Sequence, residues 1–314
     1  MKKKIIILSL LILIVAACFI PITLQKTVSI KWSFISVYRE LILPTNWAKW
    51  RTDLRKDFAA DSSKIDIKKE NSSFAIRYQD RALNVSFNEN VFNVTDGWNS
   101  KRTYTYTVVP QKDLKKTSVI VSDKTTLIGY LLSKLKSKPL AYTHIDDLKQ
   151  FMETDSLLYG FKVFRNGVAG SYMLEIKRKV LTKDQFTEAS KMHATLQHYL
   201  ETHGLKKTQP LIAQFLPTGT DSTQVNVGFY IDKETAVEKG DIIFARMPKG
   251  GPLYSVKYNG KFNQRSKAYI ALRQYYTDHY YQSAILPFET YLDDRLPASD
   301  TDKVNIQVNF SGFF

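Results

Sequence analysis

Hydrophobic and polar positions alternate along this chain with two periods, and the places where the period changes divide it. In residues 25–155 the dominant period is two. Thr27-Val28-Ser29-Ile30-Lys31-Trp32 alternates as a strand. So do the stretches around Ile65 and Ile67, Phe74, Ile76 and Tyr78, Leu83, Val85 and Phe87, Tyr104, Tyr106 and Val108, and Val119 and Val121. Turn-forming residues separate them at Glu70-Asn71-Ser72-Ser73, Asp96-Gly97 and Pro110-Gln111. Residues 35–43 predict a short helix that Pro44 stops, because proline lacks the amide hydrogen that a helix interior needs. Residues 145–153 predict a closing helix with Leu148, Phe151 and Met152 on one face.

From residue 156 onward the pattern occurs twice. The first copy has a strand at residues 172–180, then a helix at about 182–202 with Phe186, Ala189, Met192, Leu196 and Tyr199 at helical spacing, ended by Gly204. Strands at 211–215 and 225–230 complete it. The second copy opens with residues 240–248 and 251–260, continues as a helix at about 263–280 carrying Tyr269, Leu272, Tyr276 and His279, and ends in strands around Phe288 and at 304–309. Aligning Pro210 with Pro287 sets Ile212 opposite Glu289.

That alignment singles out Glu289. Strand side chains alternate, so Glu289 and Tyr291 share one face and Phe288 and Thr290 the other. An unpaired carboxylate on an inward face is costly, but a cation, a tyrosine hydroxyl or solvent in a cavity makes it tolerable. Tyr254, Tyr258, Tyr269 and Tyr291, with Tyr172 and Tyr230 from the other copy, offer aromatic faces that suit an organic cation. The alternative is that Glu289 lies exposed at a rim or is bridged to an arginine such as Arg246 or Arg273.

At the start, Lys2-Lys3-Lys4 precedes a mostly apolar run through residue 24, long enough to cross a bilayer at ~20 residues. Clustered lysines favour the cytoplasmic side, so residues 1–24 are expected to be a transmembrane anchor with the remaining chain outside the cytoplasm. Val15-Ala16-Ala17-Cys18 offers a second reading, a lipoprotein lipidated at Cys18.

Composition narrows the chemistry. With 44% hydrophobic residues in 314, the chain can bury real cores. One cysteine rules out an intramolecular disulfide, and five scattered histidines argue against zinc. Of the net charge of +15, most falls early: 25 Lys and Arg against 13 Asp and Glu in residues 1–150, and 20 against 17 thereafter. No nucleic-acid recognition motif accompanies that charge, so no nucleic-acid partner is expected. A Gly-rich phosphate loop, a serine elbow and an HExxH helix are all missing, and His193, His198 and His203 fall on different helix faces. No cofactor, metal or catalytic residue is expected.

Two resemblances follow from these residues. Over 25–155, the opening strand, the helix start at Val37-Tyr38 and the pair in Trp47-Ala48-Lys49-Trp50 resemble the START-like helix-grip (SRPBCC) family, which implies a cavity for an apolar ligand beneath the closing helix. Over 156–314, Tyr258-Asn259-Gly260-Lys261-Phe262, Pro287-Phe288-Glu289-Thr290-Tyr291, Pro297 and the strand at 304–309 resemble the gyrase-inhibitor-like effector-binding domain of multidrug-responsive regulators. That family implies two β-α-β-β units in one antiparallel sheet, an aromatic cleft between them, and a buried cleft carboxylate that falls at Glu289.

The expected fold is therefore α+β: a transmembrane helix at 1–24, a helix-grip-like domain at 25–155, and a duplicated effector-binding domain at 156–314 with repeats at about 158–232 and 240–314. The expected function is membrane-anchored binding or sensing of a small apolar or cationic molecule, with Glu289, Tyr291, Tyr258, Tyr254, Tyr172, Tyr230 and Tyr269 as the site. The alternatives are a hydrolase using Glu289 as general base with Tyr291 or Tyr258, and an envelope scaffold whose pockets are filled.

Overall fold

The computed structural model of the chain describes residues 19–98, 102–135, 143–168, 171–237, 240–247, 250–283 and 285–312. It divides into two compact units, Met1–Leu158 and Tyr159–Phe314.

The first unit begins with β1 (Pro21–Ile30) and three short helices, α1 (Phe34–Ile42), α2 (Pro44–Trp50) and α3 (Thr52–Asp61). Six strands follow: β2 (Ile65–Lys69), β3 (Ser73–Tyr78), β4 (Arg81–Asn88), β5 (Val91–Asp96), β6 (Arg102–Pro110) and β7 (Thr117–Thr126). Helices α4 (Leu127–Leu135), α5 (Thr143–Glu153) and α6 (Asp155–Leu158) end the unit. The sheet is antiparallel in the order β1-β7-β6-β5-β4-β3-β2.

Strand β1 overturns the expected transmembrane helix at 1–24. Its register with β7 runs from Pro21 opposite Thr126 to Ile30 opposite Thr117, so the last four residues of the expected anchor are strand. Ile22, Leu24, Val28 and Ile30 alternate toward the protein with exposed Thr23, Gln25, Thr27 and Ser29. An apolar run rich in β-branched residues satisfies a half-buried strand as readily as a membrane helix. Among the described residues no helix is long and apolar enough to cross a membrane. Residues 1–18, including Cys18 of the lipoprotein reading, lie outside the described residues. The fold is two antiparallel sheets with accompanying helices.

In the interior of this unit Trp47 is fully buried. Its indole N–H donates to the Leu41 carbonyl at 2.9 Å, and its ring meets Trp50 at 4.8 Å, Phe74 at 5.7 Å and Tyr106 at 6.1 Å. Trp32 ties β1 to α5 by donating to the Met152 carbonyl at 2.6 Å. Beside this core lies Arg51, also fully buried, paired with Asp53 and, at 2.8 Å, with Asp96. Burial opposes the Arg51 charge, but Tyr104, Asp53 and Asp96 outweigh it and its pKa is raised. Replacing Arg51 by Met strands two carboxylates and is expected to lower stability by about 3–5 kcal/mol, read from urea unfolding; a loss below ~1 kcal/mol would show that the pair is not buried as described.

The second unit contains β8 (Phe164–Gly167), β9 (Ser171–Leu181), α7 (Gln185–Thr202), β10 (Ile212–Pro217) and β11 (Ser222–Ile231). It continues with β12 (Ile242–Met247), β13 (Pro252–Lys261), α8 (Ser266–His279), β14 (Phe288–Tyr291) and β15 (Lys303–Ser311). The eight strands form one sheet in the order β12-β9-β11-β10-β14-β15-β13-β8. It reads outward in the same way from its centre, β10·β14. The strand before each repeat is exchanged: β8 precedes the first copy but pairs with β13 of the second, and β12 precedes the second but pairs with β9 of the first.

Backbone register gives the residue equivalences between the copies. Ser222 pairs with Leu181 as Lys303 pairs with Lys261. Counting along those strands makes Val227 the counterpart of Val308. Ala213 pairs with Val227, and Glu289 with Val308. The counterpart of Glu289 is therefore Ala213, not Ile212. Pro210 stands three residues before Ala213 and Pro287 two before Glu289, so aligning the prolines slips the strand by one and flips its faces. Helices α7 and α8 cover one face, where Ala213, Phe215, Val227, Tyr291, Ile306 and Val308 join Met192 and Leu196 of α7 and Leu272 and Tyr276 of α8. Ile212, Tyr230 and Phe288 form a separate small cluster on the opposite face.

Candidate functional site

Glu289 lies under α8 with no exposed surface. Its Oε1 accepts from Arg265 Nε at 2.6 Å and from the Tyr269 hydroxyl at 2.7 Å, and its Oε2 accepts from the Tyr291 hydroxyl at 2.7 Å. Burial, and then the Glu289 charge, push the pKa of both Tyr269 and Tyr291 upward, so both remain neutral donors. The Arg265 guanidinium lies 3.5 Å above the Phe262 ring and also donates to the Phe262 carbonyl at 3.2 Å. A paired, hydrogen-bonded charge of this kind is the condition under which burial is tolerated.

The first copy has no such cluster. The short turns Thr182–Asp184 and Phe262–Gln264 precede the two helices, which makes Gln185 the counterpart of Arg265 and Ala189 that of Tyr269. With Ala213 for Glu289 and Phe215 for Tyr291, one copy holds Ala, Gln, Ala and Phe where the other holds Glu, Arg, Tyr and Tyr.

The seven residues singled out in sequence do not converge. Glu289, Tyr269 and Tyr291 meet. Tyr258 is on the same face but donates to the Lys261 carbonyl at 2.7 Å. Tyr254 packs against the rings of Tyr275, Tyr276 and Tyr281 at 4.9–5.6 Å. Tyr172 stacks on Phe244 at 5.8 Å beneath Arg246, whose carboxylate partner is Glu234. Tyr230 lies on the opposite face with Ile212 and Phe288. The arginine that bridges to Glu289 is Arg265, neither Arg246 nor Arg273.

On that opposite, helix-free face the structure opens a groove of ≈ 380 Å³. Ile212, Tyr230, Phe288 and Met173 give it an apolar floor, and Ile285 and Leu286 stand at its mouth, 42% and 61% exposed. A chain of amides borders it. Gln224 donates to Asn226 Oδ1 at 3.1 Å, Asn226 to Gln214 Oε1 at 2.6 Å, and Gln214 to the Pro287 carbonyl at 2.8 Å. Gly228 lies within the lining, where a Cβ would come to 3.1 Å from the Leu174 carbonyl. A glycine inside a strand pattern, as in Val225-Asn226-Val227-Gly228-Phe229-Tyr230, was the one signal in the sequence that could have located this groove.

No family model matches the chain, and no curated protein matches it. Among solved structures, the EcmrR C-terminal domain is similar with a TM-score of 0.40 and 17% identity, covering 49% of this chain and 98% of that one. A hydrolase from Listeria innocua gives 0.37 and 10%, covering 48% and 92%. A START superfamily protein from Mycobacterium smegmatis gives 0.30 and 14%, covering 42% and 97%. All three likenesses are at low identity and low TM-score.

The Glu289 cluster is expected to behave as a unit. Glu289→Ala alone leaves a largely buried arginine without its carboxylate and is expected to cost about 3–5 kcal/mol in urea unfolding. Replacing all four residues by their first-copy counterparts (E289A, R265Q, Y269A, Y291F) is expected to cost clearly less than the four single losses added together. Strict additivity would show that the four are independent.

Proposed function

We propose that the second unit is a receptor for a small, mostly apolar molecule, bound without catalysis in the groove on the helix-free face of its sheet. The observation that carries this reading is the groove itself. Its ≈ 380 Å³ falls within the ~300–1,000 Å³ of small-molecule sites, and a mainly apolar floor bordered by a few fixed polar groups is the usual make-up of such a site. The burial of Glu289 weighs against the hydrolase alternative. A general base must reach the proton it removes, and both oxygens of Glu289 are engaged by Arg265, Tyr269 and Tyr291 beneath a helix.

Titrating the chain with Nile red, a neutral solvatochromic dye, tests the proposal. Saturable binding is expected, weakened about tenfold by Tyr230→Ala or by Leu286→Arg, since an aromatic surface or an uncharged mouth is lost. Absence of saturable binding, or indifference to both substitutions, would overturn it.

An extracytoplasmic location belongs to the same proposal, supported by Lys2-Lys3-Lys4 ahead of a short apolar run, the order of charged and apolar parts in a secretory signal. Alkaline phosphatase fused to the C-terminus is expected to be active, and an inactive, stably expressed fusion would contradict it.

A further inference from the structure

Four strands lie at the edges of the two sheets, and an edge strand presents unpaired amide and carbonyl groups to any strand that meets it. Three of the four are guarded. Strand β1 is capped by α5, whose Lys149 donates to the Ser29 carbonyl at 3.0 Å while Asp146 pairs with Lys26. Strand β2 reads Ile-Asp-Ile-Lys-Lys, with Asp66, Lys68 and Lys69 exposed. Strand β8 is four residues long and carries Arg165. Cover, charge and short length are the devices that keep sheet edges from pairing.

Strand β12 has none of them. It is six residues long, Ile-Ile-Phe-Ala-Arg-Met, with a single charge and neither proline nor glycine. One side of it pairs with β9, from Ile242 opposite Ile176 to Met247 opposite Ser171. Along its other side, no backbone group of residues 242–247 is hydrogen-bonded among the described residues. Ile243 is 44% exposed, and the one charge, on Arg246, is already balanced by Glu234. A nearly neutral, apolar strand of this length is the kind that adds to another strand.

Its residues suit one partner in particular, β12 of a second chain. Ile242, Phe244 and Arg246 lie on the helix-covered side, opposite Ile176, Leu174 and Tyr172, and Ile243 and Ala245 lie on the other. A two-fold axis perpendicular to the sheet keeps the helices of both copies on one side. Residues of like facing then pair, so the axis passes through a residue. An axis at Phe244 sets Arg246 opposite Ile242 of the second copy, and an axis at Ala245 sets it opposite Phe244. In both registers each arginine meets an apolar side chain, so like charges stay apart.

We infer that two copies of this chain associate edge to edge through β12, joining their eight-stranded sheets into one continuous sheet. Pairing β12 with β12 consumes the open edge on both chains. The outer edge that remains is β8, short and charged, so assembly stops at two. A seam of six residues is small beside the ~1,200–2,000 Å² of stable interfaces, which sets the dissociation constant on the order of 10 µM.

Sedimentation equilibrium of the full chain, from about 1 to 100 µM, tests this. The mass is expected to rise with concentration from that of one chain to that of two. Ile243→Lys supplies the edge charge that β12 lacks, opposite Glu175 on β9, where the single chain accommodates it. It is expected to weaken association more than about tenfold, whereas Ile243→Thr, uncharged and suited to a strand, leaves the dimer intact. An unsubstituted chain that stays monomeric would leave this edge to a strand of a different protein and overturn the inference. So would a dimer that Ile243→Lys leaves undisturbed. Amide hydrogen exchange on the unsubstituted chain gives a readout free of any substitution. Protection of residues 242–247 is expected to rise as the mass doubles, and unchanged protection there would place the contact elsewhere and overturn the role of β12.

Discussion

The second unit depends on a single strand junction, the antiparallel pairing of β10 with β14. It is short, with Ile212 opposite Thr290 and Ala213 opposite Glu289. Yet it is the central seam where the two copies meet, and the order of the other six strands is laid out symmetrically on either side of it. Because equivalent residues Ala213 and Glu289 face each other across this seam, any difference between the copies is felt at the centre of the sheet. A carboxylate on one side and a methyl on the other is such a difference. Arg265, Tyr269 and Tyr291 are what make it tolerable, through three hydrogen bonds of 2.6–2.7 Å. The exchange of β8 and β12 then locks the halves together, since each outer strand crosses to the other copy.

Duplication supplies two copies of a surface, and the two have diverged differently on each face of the sheet. On the helix-covered side the second copy carries Glu289, Arg265, Tyr269 and Tyr291 where the first has Ala213, Gln185, Ala189 and Phe215. On the side away from α7 and α8 the first copy has Glu175 beside Gly228, and the second has Ser255 beside Asn309. The changes fall on opposite faces, and side-chain alternation keeps the two carboxylates from competing for one partner.

The elements themselves were largely readable. Phe74, Ile76 and Tyr78 alternate in the sequence and are buried in β3, and Met192 and Leu196 recur at helical spacing and face the sheet from α7. What could not be read was which element pairs with which. Periodicity places a residue on a face but does not name the strand across from it, so residues 242–247 read as the opening of the second copy although they pair with β9. The one-residue slip at Pro210 and Pro287 has a similar cause: a proline fixes the local backbone, not the register of the strand that follows. The apolar run before residue 25 was ambiguous in a third way, because its length favours a membrane helix while its alternating end fits an edge strand beside β7. The site residues suffered most from this. Tyrosines scattered over two faces look alike in sequence, and only the register separates Tyr230 from Tyr291.

The two acidic residues then differ in their surroundings. Every oxygen of Glu289 is matched by a donor held on a helix or strand, so its charge is already balanced when the chain folds and its environment works for stability. Glu175 is paired with the half-exposed Lys177 of its own strand and lies opposite Gly228, where a Cβ would come to 3.1 Å from the Leu174 carbonyl. The conspicuous carboxylate among tyrosines is the satisfied one, held by Arg265, Tyr269 and Tyr291.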